Sequence, residues 1–287
     1  MIVAIASGKG GTGKTMVSAS LASVWGRPVI AMDLDVEEPN LHLFLKPAFD
    51  GCTKAYIEVP EADESRCTHC RACADLCQFK AISVLGNVLL VFPDMCHGCG
   101  GCLAICPEEV LSPGRRELGE ISKGRSGEIG FLMGRSRVGE AMSPPLMREV
   151  KKELQTMLKE QKVDVIIDAP PGVSCPAVNA VMDADVITLV TEPTPFGLYD
   201  LQLAREAFLP LGKPMGVVIN RAGLGDDKVY AFCRSADLPI WAEIPYDRQI
   251  AAAYSNSRIV AAVSPELEAL FTALTHRIRL AGEVCHA

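Results

Sequence analysis

Gly8-Lys9-Gly10-Gly11-Thr12-Gly13-Lys14-Thr15 stands near the start of this 287-residue chain and fits the pattern G-x-x-x-x-G-K-[ST]. Glycines at these positions let a backbone wrap a polyphosphate with its N–H groups inward. A helix beginning near Thr15 would point its positive end at the same charge. Lys14 would hold the outer phosphates and the Thr15 hydroxyl would coordinate Mg²⁺, so the expected nucleotide site runs from Gly8 through Met16. A glycine-rich turn without function is the bland alternative. A second set of reactive residues is the twelve cysteines. Cys67, Cys70, Cys73 and Cys77 form one group and Cys96, Cys99, Cys102 and Cys106 another, while Cys52, Cys175, Cys233 and Cys285 stand apart. The amino terminus lacks the basic start and cleavage site of a signal peptide, so a cytoplasmic location is expected. In such a chain clustered cysteines read as metal ligands rather than disulfides.

The elements that must position these residues follow from periodicity. Ile2–Ala6 is a short apolar run before the glycine loop, Met16–Trp25 is helix-compatible, and Val29–Asp33 is a second apolar run ending in acid. Leu146, Val150, Leu154, Met157 and Leu158 recur at helical spacing, and Val163–Asp168 reads as a strand. Val186–Val190, Met215–Asn220 and Ile240–Ile244 are further strand candidates. Strands alternating with helices predict an α/β fold, a mostly parallel sheet covered by helices on both faces. Between the two α/β blocks the texture changes. Residues 61–112 hold both cysteine groups, two strand-like pieces (Ala81–Leu85 and Val88–Phe92) and little helical periodicity. The expected organisation is a discontinuous nucleotide domain, residues 1–60 and 113–287, carrying a small metal-folded α+β insert, residues 61–112.

The run Lys9-Gly-Gly-Thr-Gly-Lys14-Thr15 resembles the deviant Walker A loop of the MinD/ParA/Mrp/nitrogenase-iron-protein group of P-loop ATPases, over residues 1–47 and roughly 113–280. The resemblance implies that ATP is the nucleotide and that Lys9 reaches across a homodimer formed on ATP binding, supplying charge to the partner's phosphates as an arginine finger does. A plain surface lysine is the other reading of Lys9. The resemblance further implies that Asp33-Leu-Asp35 opens the first switch loop, with Asp35 orienting or activating the attacking water. Asp168-Ala-Pro-Pro-Gly172 would be the Walker B aspartate and second switch, acting on Mg²⁺ through water. Asn220, Arg221 and Pro245 would flank the adenine base. No Asn-Lys-x-Asp run occurs, which disfavours guanine.

Cys67-x2-Cys70-x2-Cys73-x3-Cys77 and Cys96-x2-Cys99-x2-Cys102-x3-Cys106-Pro107 match the spacing of bacterial two-cluster ferredoxins. That resemblance implies one [4Fe–4S] cluster on Cys67, Cys70, Cys73 and Cys106 and another on Cys96, Cys99, Cys102 and Cys77. Structural zinc is the alternative for paired C-x2-C runs. Gln78 stands where a proline often follows the fourth cysteine. His69 and His97 lie inside the runs as non-ligands able to tune a cluster. Cys175, seven residues beyond Asp168, resembles a bridging-cluster cysteine of the nitrogenase iron protein; metal or redox involvement and a structural role both stay open.

A net charge of −7 argues against a nucleic-acid partner. The insert carries seven acidic and three basic residues, while Arg115–Lys152 carries nine basic and five acidic. Oppositely charged solvated surfaces explain this asymmetry more simply than a dedicated docking face does. The apolar stripe Leu267, Leu270, Phe271, Leu274 and Ile278 most simply packs on the sheet, so membrane docking is not expected. The reading as a whole is an ATPase whose dimer and switch cycle is coupled to electron transfer through two clusters to a partner protein. A metallocluster carrier, or a MinD/ParA-like positioning ATPase, is the alternative; the absence of a C-x-x-C at Cys233 and Cys285 weighs against a carrier.

Overall fold

A computed structural model describes residues 1–284, so Cys285 lies outside the described residues. In chain order the first elements are β1 (Ile2–Ala6), α1 (Lys14–Ser23), β2 (Val29–Asp33), α2 (Leu41–Leu45) and β3 (Ala48–Ala62). The cysteine segment adds α3 (Ala72–Leu76), β4 (Ile82–Leu85), β5 (Val88–Val91) and α4 (Gly101–Ile105). The chain returns through β6 (Leu111–Ser126), β7 (Ile129–Ser136), α5 (Ser143–Glu160), β8 (Asp164–Asp168), α6 (Cys175–Val181) and β9 (Val186–Thr191). It ends with α7 (Pro195–Phe208), β10 (Met215–Ala222), α8 (Lys228–Ser235), β11 (Ile240–Pro245), α9 (Arg248–Ser255) and α10 (Pro265–Val284).

Nine strands form one sheet in the order β11-β10-β9-β1-β8-β2-β7-β6-β3. The seven from β11 to β7 pair in parallel, and β7, β6 and β3 add an antiparallel edge. Alternate residues of each parallel strand feed two separate cores: Ala4 and Ala6 pack toward α5, α6, α7 and α8, whereas Val3 and Ile5 pack toward α1, α2, α9 and α10. A strand buried on both faces has no polar side to show, which is why these runs are apolar throughout. In α10 the side chains of Leu267, Phe271, Leu274 and Ile278 are buried in the second core. The stripe thus packs within the domain, and among the described residues no helix is long and apolar enough to cross a membrane.

The parallel register sets the chemistry. Ile5 lies beside Asp168, and Asp33 lies beside Asp168 on the other flank, so three strand ends converge at one edge. Ligand sites of open α/β sheets form at this carboxyl edge.

The antiparallel edge departs from the alternating pattern seen in the sequence. β3 and β6 are arms of 15 and 16 residues paired from Ala48↔Arg125 to Ala62↔Leu111. The cysteine segment sits at their far end, so the arms run through the expected boundary at residues 60 and 113 without a break. Within the segment the fold repeats with a shift of 29 residues, from Cys67 to Cys96 and from Cys77 to Cys106. Ala72–Leu76 repeats as Gly101–Ile105, and the pair Ile82↔Val91 repeats as Leu111↔Ala62. Positive φ recurs at His69 and Gly98, at Arg71 and Gly100, and at Lys80 and Glu109. A third small core of Ala74, Ile82, Val84, Leu89 and Val110 holds the two halves together.

Candidate functional site

The loop after β1 enters α1 through Gly13, which holds φ +92°. A side chain there would strain the backbone, and its Cβ would also lie 2.4 Å from the Asn220 Nδ2. Gly8 is required for a different reason: a Cβ would meet the Asp200 carbonyl oxygen at 2.1 Å. No side chain caps α1 and its first turn carries no acid. Its leading N–H groups and the helix dipole therefore face the loop available for an anion.

Lys14, buried at the start of α1, points back to the strand edge and places its Nζ 3.3 Å from Asp168 Oδ1. The Thr15 hydroxyl donates to Asp168 Oδ2 at 2.7 Å, and the Ser18 hydroxyl donates to Asp168 Oδ1 at 3.0 Å. Burial disfavours the Lys14 charge, yet Asp168, Asp35 and Asp33 together hold its pKa above the ordinary value. Asp33 is fully buried; burial first, then the neighbouring Asp168 charge, push its carboxyl well above the usual range. It accepts from the backbone N–H of Asp35 at 3.1 Å and of Leu41 at 2.9 Å, and so pins both ends of the loop between β2 and α2. Burial also raises Asp35, to about 6, against the opposing pull of Lys14. Three carboxylates around one lysine form a centre short of positive charge, which suits a divalent cation. Thr15 and Asp168 offer oxygen donors of the kind that hold Mg²⁺. An ion held there would neutralise charge on the phosphates.

Lys9 lies on its own subunit, its Nζ 3.9 Å from Asp200 Oδ2 and 5.8 Å from the centroid of the Phe196 ring. Phe196 is 76% exposed, so this contact is loose and wet. Opposite the phosphate loop a cavity of about 110 Å³ is lined by Gly11, Gly13, Met16, Asn220, Arg221, Pro245 and Tyr246. Asn220 Nδ2 donates to the Thr12 carbonyl at 2.8 Å, and Arg221 pairs with Glu192 at 3.0 Å. Glycine loop, Lys14, Asp35, Asp168 and Asn220 are thus brought to one strand edge. Cys175 begins α6 with an exposed side chain, on the segment that follows Asp168.

The eight clustered cysteines line two separate cavities. Cys67, Cys70, Cys73 and Cys106 line one, and Cys77, Cys96, Cys99 and Cys102 line the other. Each cavity thereby takes three cysteines from one run and the last cysteine of the other. Burial pushes the Cys73 thiol up, with Cys106 and Cys70 acting in the same direction; burial, Cys96 and Cys99 do likewise for Cys102. Backbone N–H groups of Ala81 and Gly98 donate to the sulfurs of Cys77 and Cys96 at 3.3 and 3.4 Å. Among the described residues no three His, Cys, Asp or Glu side chains converge on a single point as one metal ion requires. His97 stacks on Phe79 with ring centroids 3.5 Å apart. Cys233 is buried in the main core, where desolvation raises its thiol to about 11.

Sequence reasoning missed Ser18, although its place one helical turn after Lys14 on the same face was readable. It also missed Asp200, Glu192 and the two backbone bonds of Asp33, which only the tertiary fold creates.

Residues 3–260 match the family described as the CobQ/CobB/MinD/ParA nucleotide binding domain. Two uncharacterized proteins of Methanocaldococcus jannaschii are 31% and 32% identical, spanning 88% and 94% of this chain and 89% and 96% of their own. An uncharacterized ATP-binding protein of the same organism is 27% identical over 88% of this chain and 77% of its own. Among solved structures, the cell division ATPase MinD of Pyrococcus furiosus superposes with a TM-score of 0.60 at 22% identity, covering 97% of this chain and 98% of its own. MinD of Pyrococcus horikoshii, complexed with Mg-ADP, gives 0.61 at 23% identity, with 98% and 97% covered. At that identity the likeness is one of fold.

Proposed function

Because the chain belongs to the CobQ/CobB/MinD/ParA nucleotide-binding family, we propose that it is an ATP-hydrolysing switch whose cysteine insert carries two [4Fe–4S] clusters and passes electrons to a partner protein. The observation that carries the iron–sulfur half is the crossed set of cysteines, four to each cavity. A cubane takes one thiolate at each of its four irons, so its ligands stand apart around a cavity instead of meeting at a point. The N–H···S bonds to Cys77 and Cys96 are of the kind that stabilise thiolate charge and tune a bound cluster. Bound clusters would supply one-electron redox chemistry; the chain's part is to hold, shield and orient them.

The ATPase half rests on Lys14, Thr15 and Asp168 at the loop and on Asp35 beside them. Asp35, raised to about 6 and still mostly ionised at neutral pH, would accept a hydrogen bond from the attacking water and orient it. Lys9, weakly held at rest, would leave Asp200 for the nucleotide of a second subunit, making the ATP-bound form a homodimer. Arg221 and Asn220 would face the base. In the experiment that tests this reading, anaerobically purified protein is assayed for iron and for MgATP hydrolysis. About eight irons per chain, the content of two four-iron clusters, together with hydrolysis are expected; iron-free protein would refute the cluster half.

The second reading, a positioning ATPase without a redox step, is favoured by the likeness of fold to MinD, one example of which is described as a MinC:MinD cell division protein complex from Aquifex aeolicus. It predicts ATP-dependent sedimentation with lipid vesicles, which the redox reading does not.

A further inference from the structure

The nucleotide loop and the cysteine insert lie far apart in sequence, yet a short chain of bonds joins the first switch loop to one cysteine run. Val36, next to Asp35, is buried against β7, and its carbonyl accepts from the Ser136 N–H at 2.8 Å. One residue on, Arg137 donates through Nη2 to Asp94 Oδ1, two residues before Cys96. Arg137 Nε also reaches Glu140 Oε2 at 3.3 Å, and Glu140 receives Arg116 Nη1. Arg116 in turn stands 3.9 Å from Asp94. A second tie runs from Glu37, in the same switch loop, to the Ser143 hydroxyl. Beneath the loop, Ile57 pairs in register with Arg116 and packs so tightly on Gly98 that a Cβ there would come within 2.5 Å.

Two features make this more than surface charge. The Glu140 and Arg116 side chains are 1% and 7% exposed, so the centre of the network is held in a low-dielectric setting where geometry is costly to change. The 29-residue repeat also supplies an internal contrast. Ser65 occupies the position of Asp94 in the first run, and the side chains of Asp63, Arg66 and Arg71 make their hydrogen bonds to Ser65, Glu109 and Val84, inside the insert. Only the second run is tied to the switch by these bonds.

We infer that Asp94, Arg116, Arg137 and Glu140 form a strut through which nucleotide binding at the first switch loop alters the second cysteine loop and leaves the first unaltered. This rests on the nucleotide-switch reading above and deepens it: the redox partner's access to the second site depends on nucleotide state, that to the first does not. The bistable element is the switch loop pinned by Asp33, and the strut is its mechanical output. Coupling free energies between sites typically correspond to about 5–150-fold in an equilibrium constant, so the effect falls within reach of amide exchange.

The test is hydrogen–deuterium exchange on the anaerobically purified holoprotein, with and without the Mg²⁺ complex of a non-hydrolysable ATP analogue. Residues 33–41 and 93–99 are both expected to change exchange rate with the analogue by at least about fivefold, the lower end of that coupling range, while 64–70 stays the same. In Asp94→Ala and Arg137→Ala the change at 93–99 disappears and the change at 33–41 remains; Asp94 is 78% exposed, so its loss does not threaten the fold. A change at 33–41 without one at 93–99 in the wild type would overturn the strut alone. So would Asp94→Ala that loosens 93–99 equally with and without analogue while keeping its response. An unresponsive 33–41 segment would overturn the switch reading and the strut together.

Discussion

Replacing Lys14 by Met tests whether the carboxylates at the strand edge depend on that lysine for more than nucleotide binding. Met keeps most of the aliphatic stem, so little cavity forms and the change is mainly one of charge. Asp168 is then left buried with two hydroxyl donors, Thr15 and Ser18, and Asp33 stays fully buried beside it. Breaking a buried pair costs about 3–5 kcal/mol; the two hydroxyls put this case near ~3 kcal/mol. At about 2–4 °C per kcal/mol for a chain of this size, the midpoint should drop ~6–12 °C in nucleotide-free, Mg²⁺-free buffer at pH 8. The sign with pH follows from linkage. Asp33 and Asp35 already lie above their unfolded values and Lys14 holds both down, so removing the cation raises them further. The folded variant therefore holds protons that the unfolded chain has lost, and its stability falls as pH rises from about 4 through the raised pKa values. The deficit relative to wild type should shrink as pH is lowered from 8 toward 5. Thermal unfolding followed by circular dichroism at pH 5, 6, 7 and 8 measures it. A deficit of equal size at every pH, or none at pH 8, would refute the charge account of this centre.

Asp35→Asn should lower hydrolysis by at least about 100-fold, as loss of a positioned base does, with nucleotide affinity nearly unchanged in a binding titration. The same variant should be more stable than wild type at pH 8, because it removes the cost of ionising a buried carboxyl, and the gain should vanish as pH falls through 6 toward the unfolded value. Lys9→Ala should bind ATP as a monomer yet fail to dimerise and hydrolyse it, read by light scattering; the half-buried contact with Asp200 is long, at 3.9 Å, and worth about 1 kcal/mol or less, so the fold should not suffer. Cys106→Ser should remove the same spectral signal as Cys73→Ser, and Cys77→Ser the same signal as Cys96→Ser; grouping of Cys106 with Cys96 would contradict the crossed assignment.

Six of the seven parallel strands were readable to within a residue or two, because strands buried on both faces are unbroken apolar runs, as in Val29–Asp33 and Val186–Thr191; the seventh, β7, was missed, its run interrupted by Gly130 and Gly134. The antiparallel edge was not. The first seven residues of β3 are exposed and carry no alternation, while Pro113, Gly114, Gly119 and Gly124 break the pattern of β6. Such a strand is defined by its partner across the hairpin, not by its own composition. The glycine loop before α1 and the crossed grouping of the cysteines were legible because each is written in fixed local spacing. Ser18 was legible in principle from helical periodicity alone. Asp200, brought beneath Gly8 by α7, and the strut from Asp94 to Glu140, set by the pairing of β6 with β7, join residues distant in sequence and exist only in the tertiary fold.

On the proposed reading a nucleotide switch and two four-iron clusters work together within one chain. Electron paramagnetic resonance of the anaerobically reduced protein, recorded with and without MgATP, tests it most directly. Signals of two reduced [4Fe–4S] clusters, one of them altered by nucleotide, are expected. A protein without such signals, or one whose two signals are indifferent to nucleotide, would contradict it.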